Sequence, residues 1–221
     1  MADDIRALHR ALIELHGQPN RAHVRDGVRQ LLTTVLSQNV ADEQTAQAAE
    51  DLFDSYPDYR SIETAAHDEL AETIAVAGLK NRKAARIQRV LAKTREHTGG
   101  EYSLAFLEKL STDDAQAWLT DIKGIGPKTA NVVLNFGFEK PTFAVDTHIE
   151  RLSKRFGLID AAVTTDRAHE ILNDRVPDDL KYSLHVLMIT HGKEYCTAQS
   201  PDCSNPVCAT YCRCDACPET A

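Results

Sequence analysis

The feature that most constrains this chain is Gly124-Ile125-Gly126-Pro127, set within the stretch Leu119–Ile149. Two glycines around one apolar residue predict a tight turn through backbone angles that other residues avoid. Pro127 suits the first position of a following helix, where its missing N–H costs nothing. Ala130, Val132, Val133, Leu134 and Phe136 give that helix an apolar face. Its start therefore aims free backbone N–H groups past a glycine turn, an arrangement that binds phosphate. Lys128 lies in the first helical turn, and Asp146 follows eighteen residues later within Val145-Asp146-Thr147-His148. Asp146 also has the position of a helix N-cap, a role compatible with chemistry at its carboxylate.

The wording GIGPKTANVVL followed by AVDTHIERL resembles the helix-hairpin-helix-GPD DNA glycosylases, and among them the endonuclease III family. The resemblance runs from about Ile5 to Cys217. It implies that Lys128 is a nucleophile forming a Schiff base with C1′ of a damaged nucleotide. It likewise implies that Asp146 assists departure of the base, electrostatically or by proton transfer. Members that only remove a base lack the lysine, so Lys128 implies lyase activity as well. A lysine at its reference pKa of ~10.4 is neutral in only about one molecule in 2,500 at pH 7. Burial and the positive end of its own helix are expected to raise that fraction.

With 43% hydrophobic residues and 221 positions, the chain can bury a sizeable core. It shows no run fit to cross a bilayer, and Met1-Ala2-Asp3-Asp4 lacks the basic start of a secretory signal, so a cytoplasmic, nucleoid-associated monomer is expected. The net charge of −8 argues against a DNA partner until it is located. Residues 1–75 carry all of it, and residues 76–221 are neutral. Within the neutral part, Lys80, Arg82, Lys83, Arg86, Arg89, Lys93 and Arg95 follow one another without an acid. DNA affinity depends on the local field at the phosphates, so this run is either a DNA-facing surface or an ordinary solvated helix face.

Apolar spacing predicts helices over 1–16, about 25–38, about 43–54 (with Asp42 as N-cap), about 61–66, 68–76, 82–97, about 103–108, 112–121 (capped by Ser111 or Thr112), 147–156, near 164–174 and 178–191. No strand is expected. Three segments carry the remaining DNA-binding candidates. In Ser37-Gln38-Asn39-Val40-Ala41-Asp42 the family places a glutamine that fills the gap left by the extruded base. Asn39 holds that position here, with Gln38 just before it, and either amide is a candidate. Ala77-Gly78-Leu79-Lys80 resembles the family's wedge turn, which implies Leu79 as the wedge beside the flipped nucleotide and Lys80 as its basic neighbour. Lys123, Gly124 and Gly126 are expected to hold backbone phosphates, and His148, also a candidate at the DNA, reads as structural support within the aspartate motif.

All six cysteines lie between Cys196 and Cys217, a density that suggests a metal. The lead-in His191-Gly192-Lys193-Glu194-Tyr195-Cys196 resembles that of the family's 4Fe-4S cluster loop, spaced C-x6-C-x2-C-x5-C. Cys196 and Cys203 preserve its first interval, but Pro206 occupies the usual third position. Cys196, Cys203, Cys208 and Cys214 give the pattern with two residues added, and Cys212 and Cys217 stay open as substitutes. Zinc also accepts four cysteines and remains the alternative metal.

The expectation is an all-α chain with a two-domain helix-hairpin-helix glycosylase architecture. Residues 20–139 would form a six-helix barrel domain, and 1–19 with 140–221 an iron–sulfur cluster domain, with Lys128 and Asp146 facing each other across a groove. The implied function is bifunctional DNA glycosylase and abasic-site lyase of base excision repair. The implied partner is double-stranded DNA containing damaged bases or abasic sites, with oxidised pyrimidines as substrates. The same scaffold with another base specificity, lyase activity alone, or a non-catalytic DNA-binding iron–sulfur protein are the alternatives.

Overall fold

The structure, a computed structural model, describes residues 2–21 and 26–213. Its described helices are α1 (Ala2–His16), α2 (Gly27–Leu36), α3 (Asp42–Ser55), α4 (Tyr59–Thr64), α5 (His67–Thr73), α6 (Lys80–Thr98), α7 (Thr112–Thr120), α8 (Pro127–Phe138), α9 (Thr147–Arg155), α10 (Thr165–Arg175), α11 (Lys181–Glu194) and α12 (Pro206–Tyr211). Short 3₁₀ turns occupy Ala75–Ala77, Ala105–Lys109 and Asp178–Leu180. There is no strand among the described residues, so the chain is all-α. None of these helices is long and apolar enough to cross a membrane.

The chain divides into two compact units, Met1–Ala22 with Pro141–Ala221, and His23–Lys140. In the second, α6 packs against α2, α4 and α5, while α8 packs against α2 and α7. Ile87, Val90 and Leu91 of α6 are fully buried, each contributing roughly 1.5–3 kcal/mol by leaving water. They join Leu31, Leu32 and Val35 of α2 and Val133 and Leu134 of α8 in one core. In the other unit, α11 packs on α9 and α1, and α1 on α12. There Ile5, Leu8 and Leu12 meet Ile149, Leu152, Leu184 and Met188.

Several boundaries differ from the sequence reading for local reasons. Asp42 is the first residue of α3 rather than its cap; Ala41 precedes it without a side-chain bond, and Asp42 and Glu43 instead place negative charge in the first turn. Helix α6 starts at Lys80, directly after a left-handed Leu79. The segment expected as a helix near 103–108 is the 3₁₀ turn Ala105–Lys109. Helix α12 lies inside the cysteine stretch, where none was expected. Its signal was legible: Asn205 caps it by accepting from the Cys208 N–H at 2.9 Å, and Pro206 takes the first helical position. The Ser111 cap holds, its hydroxyl accepting from the Asp114 N–H at 3.0 Å.

Candidate active site

The hairpin turn between α7 and α8 departs from its expected form in one respect. Gly124 has φ +101°, which favours glycine, and the Arg86 guanidinium lies where a Cβ would be. Gly126, at φ −95° with open space around it, is not required by backbone angle. No side chain caps α8, which leaves the N–H groups of Lys128 and Thr129 available to an anion. Lys123 is exposed, and its carbonyl accepts from Arg89 at 3.1 Å.

Lys128 is exposed, not buried. It borders an open depression of about 270 Å³ with Gln30, Ser37, Gln38, Thr129 and Phe136. The burial expected of its side chain is therefore not present. Gln38 is half-buried and engaged at both ends, its Nε2 donating to Thr129 Oγ1 at 3.0 Å and its Oε1 accepting from Arg86. Asn39 is exposed and left-handed, at φ 57°. Leu79 is also left-handed, at φ 48°, and is 53% exposed, an unusual state for a leucine in both respects.

The basic run is largely turned to internal work. Lys83 is 1% exposed and its Nζ donates to the carbonyls of Leu36 and Ala77, each at 2.7 Å. Burial and then the Arg86 charge push its pKa down. Arg95 grips Glu63, Lys93 pairs with Asp121, and Lys80 pairs with Glu72. Arg82 is exposed. A sequence run cannot tell these cases apart, because helical periodicity sends neighbouring charges to different faces.

In the other unit, Asp146 caps α9, with Oδ1 accepting from the Ile149 N–H at 2.8 Å. The segment leading to it is held by side chains that sequence reasoning missed. Lys181 donates to the Pro141 carbonyl at 2.8 Å, Asn173 pairs with the backbone N–H and carbonyl of Phe143, and His185 bonds the Ala144 carbonyl at 3.1 Å. These partners stand 30 or more positions away in sequence, with no local signal. His148 is half-buried, its Nδ1 at 3.1 Å from Arg151, which also donates to the carbonyls of Gly192 and Cys196. That environment fits structural support.

Cys196 and Cys208 are buried side by side. The Cys208 hydrogen bond, and after it Arg155, which contacts the Cys196 sulfur at 3.0 Å, push the Cys196 thiol down. His191, fully buried and lowered to about 4 by desolvation, places Nε2 at 3.4 Å from Cys208 Sγ and Nδ1 at 3.1 Å from His16. Cys203 and Cys212 pack at the edge of the same core. No three His, Cys, Asp or Glu side chains converge as a metal site among the described residues. Cys214 and Cys217 lie outside the described residues.

Residues 32–178 match the family described as HhH-GPD superfamily base excision DNA repair protein. Endonuclease III of Thermotoga maritima is 32% identical over 194 residues, covering 88% of this chain and 86% of its own length. Among solved structures, a non-covalent endonuclease III–DNA complex superposes with a TM-score of 0.81 at 29% identity, covering 96% of this chain and 95% of that one. A trapped endonuclease III–DNA covalent intermediate gives the same TM-score and identity, covering 96% of each chain. An all-helical chain with an uncapped lysine-bearing hairpin helix, matched over most of its length in this way, belongs to the HhH-GPD superfamily of base excision DNA repair proteins and, within it, to the endonuclease III family.

Proposed function

We propose that this protein excises oxidised pyrimidines from duplex DNA and cleaves the resulting abasic site through Lys128. It is a DNA glycosylase and abasic-site lyase of base excision repair, and its partner is DNA. The observation that carries the residue assignment is Lys128 itself. It is exposed in the first turn of a helix whose N-terminus no side chain caps, on the rim of a depression. A nucleophile that must meet an everted sugar needs this accessibility, and the free N–H groups beside it suit the flanking phosphate.

The neutral Nζ of Lys128 forms a bond to C1′ as the bond from C1′ to the base breaks. The base leaves with that electron pair and takes up the proton that Nζ gives up, leaving a neutral aminal at C1′. Protonation of O4′ opens the sugar to an iminium. Loss of the C2′ proton then expels the 3′ phosphate, and water hydrolyses the iminium to free the lysine. Asp146, from the other unit, is assigned the electrostatic role at the developing positive sugar; capping α9 occupies only one of its oxygens. Leu79 is assigned the wedge and Asn39 the amide that fills the vacated space, because each is exposed on a left-handed residue at a loop tip.

Cys196, Cys203, Cys208 and Cys214 are proposed to hold a 4Fe-4S cluster. The adjacent buried thiols of Cys196 and Cys208, with Arg155 beside one sulfur, suit thiolate ligation. When bound, the cluster would order the C-terminal loop, and no chemical step passes through it. A cytoplasmic, nucleoid-associated setting accords with this work.

Borohydride added during turnover should trap a covalent protein–DNA adduct with the wild type and none with Lys128→Ala. A panel of duplexes bearing oxidised pyrimidines, uracil, or thymine opposite guanine reads the substrate class. Excision confined to mismatched thymine would overturn the oxidised-pyrimidine assignment.

A further inference from the structure

Gln38 joins three elements through one side chain. Its Oε1 accepts from Arg86 on α6, and its Nε2 donates to Thr129 on α8 at 3.0 Å. Thr129 is only 6% exposed and directly follows Lys128. Arg86 is half-buried, its Nε has no hydrogen-bond partner, and it lies where a Gly124 side chain would be. The guanidinium is thereby wedged between the Gln38 amide and the hairpin turn. One turn along α6, Arg89 holds the Lys123 carbonyl of the same turn at 3.1 Å, and Lys83 holds the carbonyls of Leu36 and Ala77. Lys83, Arg86 and Arg89 recur at three-residue spacing, so each is the surface neighbour of the next along the helix.

Inserting Gln38 into a duplex would break both of its bonds, one of them charge-assisted, and strand a partly desolvated guanidinium. Asn39, next in the chain, is exposed and has no such hold among the described residues. We propose that the Arg86–Gln38–Thr129 chain is a positioning device. It keeps Gln38 out of the DNA, presents Asn39, and couples the Asn39 loop to the turn that carries Lys128. This rests on the reading of Lys128 as the nucleophile. Arg86, Gln38 and Thr129 act through Lys128 and Asn39 and need not touch the reacting atoms.

The test uses the full-length protein and a duplex with a preformed abasic site, measuring single-turnover borohydride trapping, with affinity read separately on a duplex carrying an uncleavable tetrahydrofuran site. Gln38→Ala is expected to bind the analogue within about threefold of wild type while trapping slows about tenfold or more. Thr129→Val, which cuts the link from its other end with a near-isosteric side chain, should reproduce that split. Gln38→Glu should recover part of the rate, since a carboxylate accepts from both Arg86 and the Thr129 hydroxyl. Gln38→Ala combined with Arg86→Leu should be no slower than the slower single variant, as members of one chain are not additive. Wild-type trapping rates in both Gln38→Ala and Thr129→Val, or additive losses in the double variant, would overturn the device while leaving the nucleophile assignment intact. Trapping by Lys128→Ala would instead overturn the assignment beneath it.

Discussion

At the scale of single residues, the informative ones combine exposure or burial with the wrong chemistry. Leu79 is a large apolar side chain in water at a backbone angle leucine avoids. Its exposure means that folding gains little from it, so Leu79→Ala should leave urea unfolding within about 0.5 kcal/mol of wild type. Excision from duplex, in contrast, should slow roughly tenfold, the equivalent of about 1.4 kcal/mol of lost wedge contact. Lys83 is the opposite case, an ammonium inside the core satisfied by two carbonyls. Lys83→Met keeps the length but strands both acceptors, and with about 1–3 kcal/mol for each unsatisfied group it should destabilise by roughly 2–6 kcal/mol in urea titration. The basic run containing Lys83 looked uniform in sequence. Which of its members are buried, paired or exposed depends on which helix face meets which neighbour.

At the scale of elements, caps and cross-helix pairs separate structure from chemistry. Asp146 both caps α9 and is assigned to catalysis. Asparagine caps about as well as aspartate, so Asp146→Asn should melt near wild type, whereas Asp146→Ala should cost about 1 kcal/mol. Both should lose excision if the negative charge is what matters, and a fully active Asp146→Asn would refute that role. Glu63 at the end of α4 is gripped by Arg95 of α6 and by Tyr102. The Arg95 bond, with Tyr102 adding to it, holds its carboxyl below the ordinary value of 4.5. A depressed carboxylate stabilises the fold above its unfolded pKa, and that stability is lost as pH falls through the folded one. Glu63→Gln should therefore cost about 1 kcal/mol at pH 7, with Arg95 partly exposed, and progressively less as pH falls below the ordinary value of 4.5. Chemical denaturation at pH 7 and pH 3.5 checks the sign.

At the scale of the whole molecule, the two units carry different assignments, with Lys128 in His23–Lys140 and Asp146 and the cysteines in the other. Removal of iron, or Cys196→Ser, should abolish broad visible absorbance. It should also raise hydrogen exchange in α11 and α12, whose buried His191 and Cys208 touch, while leaving α2 and α6 protected. Loss of protection throughout, or a colourless protein containing zinc, would contradict the cluster assignment.

Helix periods, the Ser111 and Asp146 caps, and the hairpin with Lys128 beside it were legible in sequence because each depends on residues within a turn or two of one another. The wedge and gap-filling roles proposed for Leu79 and Asn39 come from likeness to a family, while their exposure and left-handed backbone come from the fold. The choice proposed between Gln38 and Asn39 was not legible, because it turns on Arg86 and Thr129, which stand 48 and 91 positions from Gln38. The exposure of Lys128, the burial of Lys83 and the pairing of Cys196 with Cys208 were likewise decided by tertiary structure. Local sequence sets which backbone a segment adopts; which polar groups lose water, and to which partners, is fixed only when distant helices close around them.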